Sequence, residues 1–281
     1  MRAVSVKVIE NAIYEGIVNI THKLSEDAKK ALKKAYDSES SSLGKYVLNQ
    51  IVKNYEVAQS ERVPLCQDTG SIIIFMEIGQ DVHFTDGFIH SAISKAISRA
   101  SSDGYLRNSI VEDPLNRKNS GDNTPGFIHF EIARGERVKI HIMEKGAGAE
   151  NVSMVKMLTP DKANKEAIKK EVLSWIKEKA AMACPPIVVG IGLGGTLDYA
   201  PLLAKKALLR KIGSKNKNEF YYKFEKELLA SINKLGIGPQ GVGGKITALD
   251  VFIEHTATHI ASLPLAININ CHSTRVIKIV I

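Results

Sequence analysis

Between residues 5 and 20, Val8, Ile9, Ile13, Ile17, Val18 and Ile20 recur at helical spacing and predict a helix. Ser25-Glu26-Asp27 reads as an N-cap with an acidic first turn, opening a second helix to about Tyr36. After the polar break at Ser38 to Ser42, a third helix is predicted from Leu43 to Gln59, with Tyr46, Val47, Ile51, Val52 and Tyr55 on one face. The pattern then changes. Ser71 to Met76 is an unbroken apolar run, which predicts a buried strand over 71–78. Phe84 to Ala100 predicts a helix starting near Thr85 and Asp86. A period of two follows: Ile128, Phe130 and Ile132, a turn at Arg134-Gly135-Glu136, then Val138, Ile140 and Ile142. This predicts a β-hairpin with His129 and His141 on its polar, surface face.

Thr159-Pro160-Asp161 predicts a helix start, and that helix runs to about Ala183 with Trp175 as a core anchor. Pro185 to Thr196 reads as a short buried strand with a glycine-rich exit. Helical segments at 197–211 and 218–235 lead to a second glycine-rich loop, Gly236 to Lys245. Strands are predicted at 248–253 and 265–270, with His255 and His259 around the intervening turn and Cys271-His272 at the second strand's end. The stretch Arg107 to Pro125 is a long polar loop, which in a compact domain points to function or disorder. No repeat, low-complexity tract or linker interrupts the chain. The expected architecture is mixed α/β: helical layers around a mixed sheet with a β-hairpin, in one domain over 1–281 with two lobes.

Composition changes this picture little. The chain has 281 residues, 44% hydrophobic and 24% charged, as in ordinary globular proteins. The net charge of +8 is carried by lysines mixed with acids in helical stretches, without an arginine stripe interleaved with aromatics. That favours a solvated surface over a nucleic-acid-binding face. Met1 to Ile20 holds no signal-type apolar core, and no run approaches the length of a membrane helix, so a soluble cytoplasmic protein is expected.

At Pro64-Leu65-Cys66-Gln67-Asp68-Thr69-Gly70 a thiol, an amide, a carboxylate and a hydroxyl stand at the mouth of the predicted strand, a set that by itself serves either a site or an ordinary loop. Lys145-Gly-Ala-Gly-Ala-Glu-Asn151 has small residues that suit an anion nest or, equally, a plain tight loop. Gly190-Ile-Gly192-Leu-Gly-Gly195 formally fits a dinucleotide fingerprint, but the acidic residue expected about 20 positions on is missing. An NADP-dependent dehydrogenase therefore stays only as a distant alternative. The Lys245 loop is no P-loop, because Pro239 occupies the first glycine position and Ile246 follows the lysine. Cys66, Cys184 and Cys271 all fall at element boundaries, and no two have CxxC spacing. Three thiols with a histidine would suit zinc, and His259 or His272 could complete such a set. Three thiolates alone would suit a cubane iron–sulfur cluster with one iron left open, since electron-transfer clusters generally take four cysteines.

Together, Cys66-Gln-Asp-Thr-Gly70, Lys145 to Asn151, Ala183-Cys184-Pro-Pro with Gly190 to Thr196, Gly238-Pro-Gln-Gly-Val-Gly-Gly-Lys245, and Thr258-His259 to Asn270-Cys271-His272 resemble the class I, iron–sulfur-dependent fumarate hydratases and equally the L(+)-tartrate dehydratase α subunits. The resemblance covers nearly the whole chain, in order. Ala147 departs from the family's usual glycine but keeps a small residue. The resemblance implies a [4Fe-4S] cluster on Cys66, Cys184 and Cys271 and reversible hydration of fumarate to (S)-malate. It implies that Gln67 and Asp68 contact substrate, that Arg107 pairs with a substrate carboxylate, and that Gly148, Asn151 and Ser153 belong to the binding wall. Asp68 and His259 are the implied catalytic residues. Single-chain relatives continue into a second domain, whereas this chain stops at Ile281. The expectation is an α subunit that needs a separate β subunit, in an αβ heteromer whose further dimerisation is left open, acting on a small dicarboxylate without nucleic acid or membrane. Tartrate dehydration is the alternative within the same chemistry.

Overall fold

The computed structural model describes residues 1–281. Its elements run β1 (Arg2–Ser5), α1 (Val6–His22), α2 (Glu26–Ser38), α3 (Ser42–Glu61), β2 (Ser71–Gly79), β3 (Val82–Thr85), α4 (Ile89–Asp103), β4 (Phe127–Ala133), β5 (Val138–Lys145), α5 (Ala147–Glu150), β6 (Met154–Leu158), α6 (Lys165–Lys179), β7 (Ile187–Gly195), α7 (Tyr199–Ala207), α8 (Glu219–Asn233), β8 (Ala248–Thr258), β9 (Leu263–Asn270) and β10 (Arg275–Val280). The fold is mixed α/β, as expected. The chain forms two compact units, Met1–Ser25 with Asn54–Ala147 and Arg275–Ile281, and Glu26–Lys53 with Gly148–Thr274. The division falls within α3.

The first unit is built on a four-stranded mixed sheet in the order β10-β5-β2-β4. Ile72, Ile74 and Met76 of β2 pack with Ile140 and Ile142 of β5 against Ile9, Ile13 and Ile17 of α1 and Ile93 and Ile97 of α4. Each such side chain contributes about 1.5–3 kcal/mol by burial. The predicted hairpin is not formed. β4 pairs parallel to β2, and β5 pairs antiparallel to β2 on its other side. Alternation of period two sets which face a strand buries, not which strand it pairs with. The more apolar β2 takes the central position between them. The connection between β4 and β5 crosses the end of β2, where Gln80 N donates to Ala133 O and Gly79 N to Arg137 O. His129 and His141 are not on an open face. Both stand opposite Phe75 in register, half-buried, and His129 stacks on that ring at 4.8 Å. The helix expected from Phe84 starts at Ile89 instead, because β1 and β3 pair as a small parallel sheet that takes Val82–Thr85.

The second unit holds the sheet β6-β9-β7-β8. Ile168, Val172 and Ile176 of α6 and Phe224, Leu228 and Ile232 of α8 share one core with Val189, Ile191, Val251, Ile253, Ile267 and Ile269 of the sheet. α6 begins later than expected. Pro160–Lys162 forms a separate 3₁₀ turn, and Asn164 caps the helix by accepting from Ala167 N at 2.9 Å. Trp175 packs against this core and donates from Nε1 to Val152 O at 2.7 Å. The stripe that α3 buries is Leu48, Ile51, Tyr55 and Ala58, while Tyr46 is exposed.

Candidate active site

In the first unit, the loop before β2 is held at both ends. Leu65 N donates to Thr21 O at 2.9 Å, and Asn54 Nδ2 donates to Leu65 O at 2.9 Å. Gly70 has φ +77°, and a Cβ there would lie 2.4 Å from Lys145 O, so only glycine lets the loop pass so close to β5. Between these anchors stand Cys66, Gln67 and Asp68, with Cys66 and Asp68 partly exposed and Gln67 exposed. Asp68 Oδ2 accepts from Ala147 N at 2.8 Å, and Asp68 O accepts from Arg275 Nη2 at 2.9 Å. The anion nest expected around Lys145 to Asn151 thus has one N–H committed to a carboxylate of the chain itself. Arg107 is brought to the same loop by its main chain, since Thr69 Oγ1 donates to Arg107 O at 3.2 Å while the Arg107 side chain stays exposed. The long loop around Arg107 is ordered by buried Asn123, which accepts from Ser109 N at 2.7 Å and donates to Ser101 Oγ at 3.1 Å.

Arg275 and Glu144 lie beneath this loop, and neither was singled out from the sequence. Their side chains are 1% and 0% exposed, and Nη1 stands 3.1 Å from Oε2 as an ion pair without hydrogen-bond alignment. Glu144 Oε1 contacts Thr21 Oγ1, whose hydroxyl also donates to Ile17 O at 2.8 Å. Burial pushes the Glu144 carboxyl up to about 7, against the pull of the Arg275 charge. The one available signal was the charged pair Glu144-Lys145 closing an apolar strand, both of them buried.

In the second unit, Cys184 and Cys271 come to the same end of adjacent strands. β7 and β9 are antiparallel with Val188 opposite Asn270, so the segment before one meets the segment after the other. His272 N faces Cys184 O at 3.4 Å. No disulfide joins any of the three cysteines. Gly148 lies in α5 and Asn151 and Ser153 in the link between α5 and β6, and Ser153 Oγ accepts from Asn268 Nδ2 at 2.9 Å. Asn268 also donates to Glu150, which receives Lys205 Nζ at 2.6 Å. Asn268 Oδ1 is buried without a partner. Sequence reasoning missed Asn268, although a buried asparagine alternating with isoleucines in β9 is a visible break of pattern. His259 lies exposed in the turn between β8 and β9, where Ala261 N donates to its Nδ1 at 3.2 Å. That bond assigns the proton of the neutral ring to Nε2. His255 lies within β8, not in the turn, and stacks on Tyr221 at 4.0 Å.

The glycine run of β7 has a packing role. A Cβ on Gly190 would lie 2.2 Å from Ala204 O, and one on Gly192 would lie 2.0 Å from Ala200 O. These residues sit inside a strand against α7, not at a strand-to-helix turn where a pyrophosphate is bound.

The thiol donors fit an iron–sulfur group in kind, because soft thiolates suit iron. Cys184 and Cys271 are at one sheet end, and Cys66 is at the mouth of β2. No group of three or more His, Cys, Asp or Glu side chains is gathered in an arrangement that could hold a metal ion.

The family model described as fumarate hydratase (Fumerase) matches residues 10–280. A protein of Methanocaldococcus jannaschii named "Putative L(+)-tartrate dehydratase subunit alpha" is 46% identical over 258 residues, covering 90% of each chain. The L(+)-tartrate dehydratase subunit alpha of Escherichia coli strain K12 is 32% identical over 272 residues, covering 94% of this chain and 89% of its own. The chain therefore belongs to the fumarate hydratase family of hydro-lyases.

Proposed function

We propose that this chain is the α subunit of an iron–sulfur hydro-lyase that reversibly adds water to fumarate, giving (S)-malate. The observation that supports it most is the meeting of Cys184 and Cys271 at one end of β7 and β9, in a chain of this family. On this reading Cys66 is the third thiolate, and the three hold a [4Fe-4S] cluster. When bound, the cluster supplies a Lewis-acidic iron that no cysteine saturates.

The chain's own residues bind and orient the substrate. Arg107 meets a substrate carboxylate through its planar fork. Gln67 contacts the substrate, and Gly148, Asn151 and Ser153 contribute to the binding wall. Asp68, with Oδ2 already engaged by Ala147 N, keeps Oδ1 to accept a proton. His259 presents Nε2–H as a donor toward the leaving or entering water. A separate β subunit completes the site within an αβ heteromer, and residues 1–281 act as one domain in the cytoplasm.

A second reading, dehydration of L(+)-tartrate, is favoured by the names of the relatives at 46% and 32% identity. The test is anaerobic turnover of the αβ complex on fumarate, malate and L(+)-tartrate, beside the α chain alone. Hydration of fumarate only in the presence of β is the expected result. Activity confined to tartrate selects the second reading. Steady turnover by α alone overturns the two-chain proposal.

A further inference from the structure

Cys184 has a left-handed backbone, with φ 52° and ψ 65°, directly after the 3₁₀ turn Ala180–Ala183. A non-glycine residue keeps such a conformation only where its surroundings over-determine it. The next carbonyl along, Pro185 O, accepts two hydrogen bonds from a single residue: Gln240 N at 2.7 Å and Gln240 Nε2 at 3.0 Å. The turn before Cys184 is touched from the same loop, since a Cβ on Gly241 would lie 3.2 Å from Ala181 Cβ. The cysteine is thus bracketed on both sides by the glycine-rich loop 236–246.

That loop is itself anchored. Its two ends approach so closely that a Cβ on Gly238 would lie 2.1 Å from the carbonyl carbon of Gly243. Gly243 N donates to Ile237 O at 2.9 Å. The far side closes on Glu39, which is 2% exposed. The Glu39 carboxylate accepts from Lys245 N at 2.8 Å, Ile246 N at 2.9 Å, Ser40 N at 2.8 Å and Ser41 N at 2.9 Å. Burial by itself would raise the Glu39 carboxyl, but these main-chain donors outweigh it and hold it below its ordinary value. The second glycine-rich loop is therefore an anion nest filled by the chain's own carboxylate.

We infer that Gln240, seated by the Glu39-filled nest, is a positioning residue for the Cys184 thiol. The inference rests on the reading of Cys184 as a cluster ligand. Gln240 gives the Pro185 carbonyl its second donor, so the Cys184 backbone cannot relax without breaking contacts to the loop.

The test uses the full chain with Gln240→Gly and Glu39→Gln. Gln240→Gly tolerates the positive φ of 49° and keeps the main-chain donor, so it removes the side-chain bond alone. Hydrogen exchange of the Ala183, Cys184 and Ile187 amides, the ones that 183–187 carries around Pro185-Pro186, is read in the cluster-free chain, and iron loss to a chelator is read in the anaerobically reconstituted chain. Loss of one hydrogen bond should speed both by about fivefold, while the melting temperature stays within a few degrees of wild type. Glu39→Gln, which replaces a four-fold acceptor by a carboxamide, should move both readouts in the same direction. Wild-type exchange over 183–187 in Gln240→Gly, or wild-type iron loss in a chain that holds iron, would overturn the inference. If the wild-type chain takes up no iron, the cluster reading falls on its own, and exchange still decides whether Gln240 braces the Cys184 turn.

Discussion

The Arg275 guanidinium donates to the main-chain oxygen of Asp68 at 2.9 Å from a fully buried position. The loop that carries Cys66, Gln67 and Asp68 is thus fixed from beneath by the first residue of β10. The second charge of this layer, Glu144, faces the other side of the same guanidinium. Removing one member of a buried pair leaves the other uncompensated, at a cost of about 3–5 kcal/mol. Arg275→Met should lose stability on that scale in urea unfolding of the full chain. The double variant Arg275→Met with Glu144→Gln should lose less than the two single variants added together. Strict additivity would show that the two groups do not sense each other.

Glu144 also predicts a pH dependence. Its folded carboxyl is raised by burial from 4.5 to about 7. Between those values the folded chain keeps a proton that the unfolded chain releases. The contribution of this group is therefore full below about 4.5 and is lost as pH rises through about 7. Glu144→Gln should flatten the fall of unfolding free energy over that window. Equal slopes in the two proteins would reject the assignment.

Glu227 carries the opposite sign. Hydrogen bonds from Lys165 and Lys169, at 2.7 and 2.8 Å, hold its carboxyl down to about 2. Its contribution is present above the ordinary 4.5 and is lost as pH falls toward 2. The pair is partly exposed, so Glu227→Gln should cost no more than about 1 kcal/mol at neutral pH. The difference from wild type should shrink in acid denaturation series.

Gly192 and Gly135 separate packing from backbone preference. Alanine at 192 would put Cβ 2.0 Å from Ala200 O and must push α7 away, costing about 1–3 kcal/mol or more. Alanine at 135, where φ is +91° and nothing stands within 4 Å, carries only a conformational cost of about 1–2 kcal/mol. Thermal unfolding with hydrogen exchange of α7 distinguishes them: only Gly192→Ala should loosen the helix.

For activity, Asp68→Asn keeps an oxygen that can accept from Ala147 N but loses the basic carboxylate. If the proposed function holds, the αβ complex should lose roughly 10²–10⁴ in turnover, with an unchanged melting temperature. Full activity would move the chemistry away from this loop.

Helices were legible wherever the apolar period was long, as in α1, where Ile9, Ile13 and Ile17 all prove buried. The cysteine boundaries were legible too, because Cys184 stands just before Pro185-Pro186 and the apolar start of β7, and Cys271 directly follows Asn270 at the end of β9. Pairing was not. β4 and β5 have equal claims to each other by pattern, and only the competition for the more apolar β2 separates them. β6 was missed because its edge position leaves Val155 and Met157 exposed and blurs the alternation. The buried charges escaped for a different reason. Glu144 and Arg275 are far apart in sequence, and local polarity cannot announce that two charges will be desolvated together.

The pairing of β10 with β5 sets an order on synthesis. Arg275 stands opposite Glu144 in that register, so the guanidinium that neutralises this carboxylate is translated long after it. Until then the nascent sheet has an open edge at β5 and an acid with no counter-charge. The first unit, although most of it precedes Gly148, cannot be finished until residues 275–280 have left the ribosome.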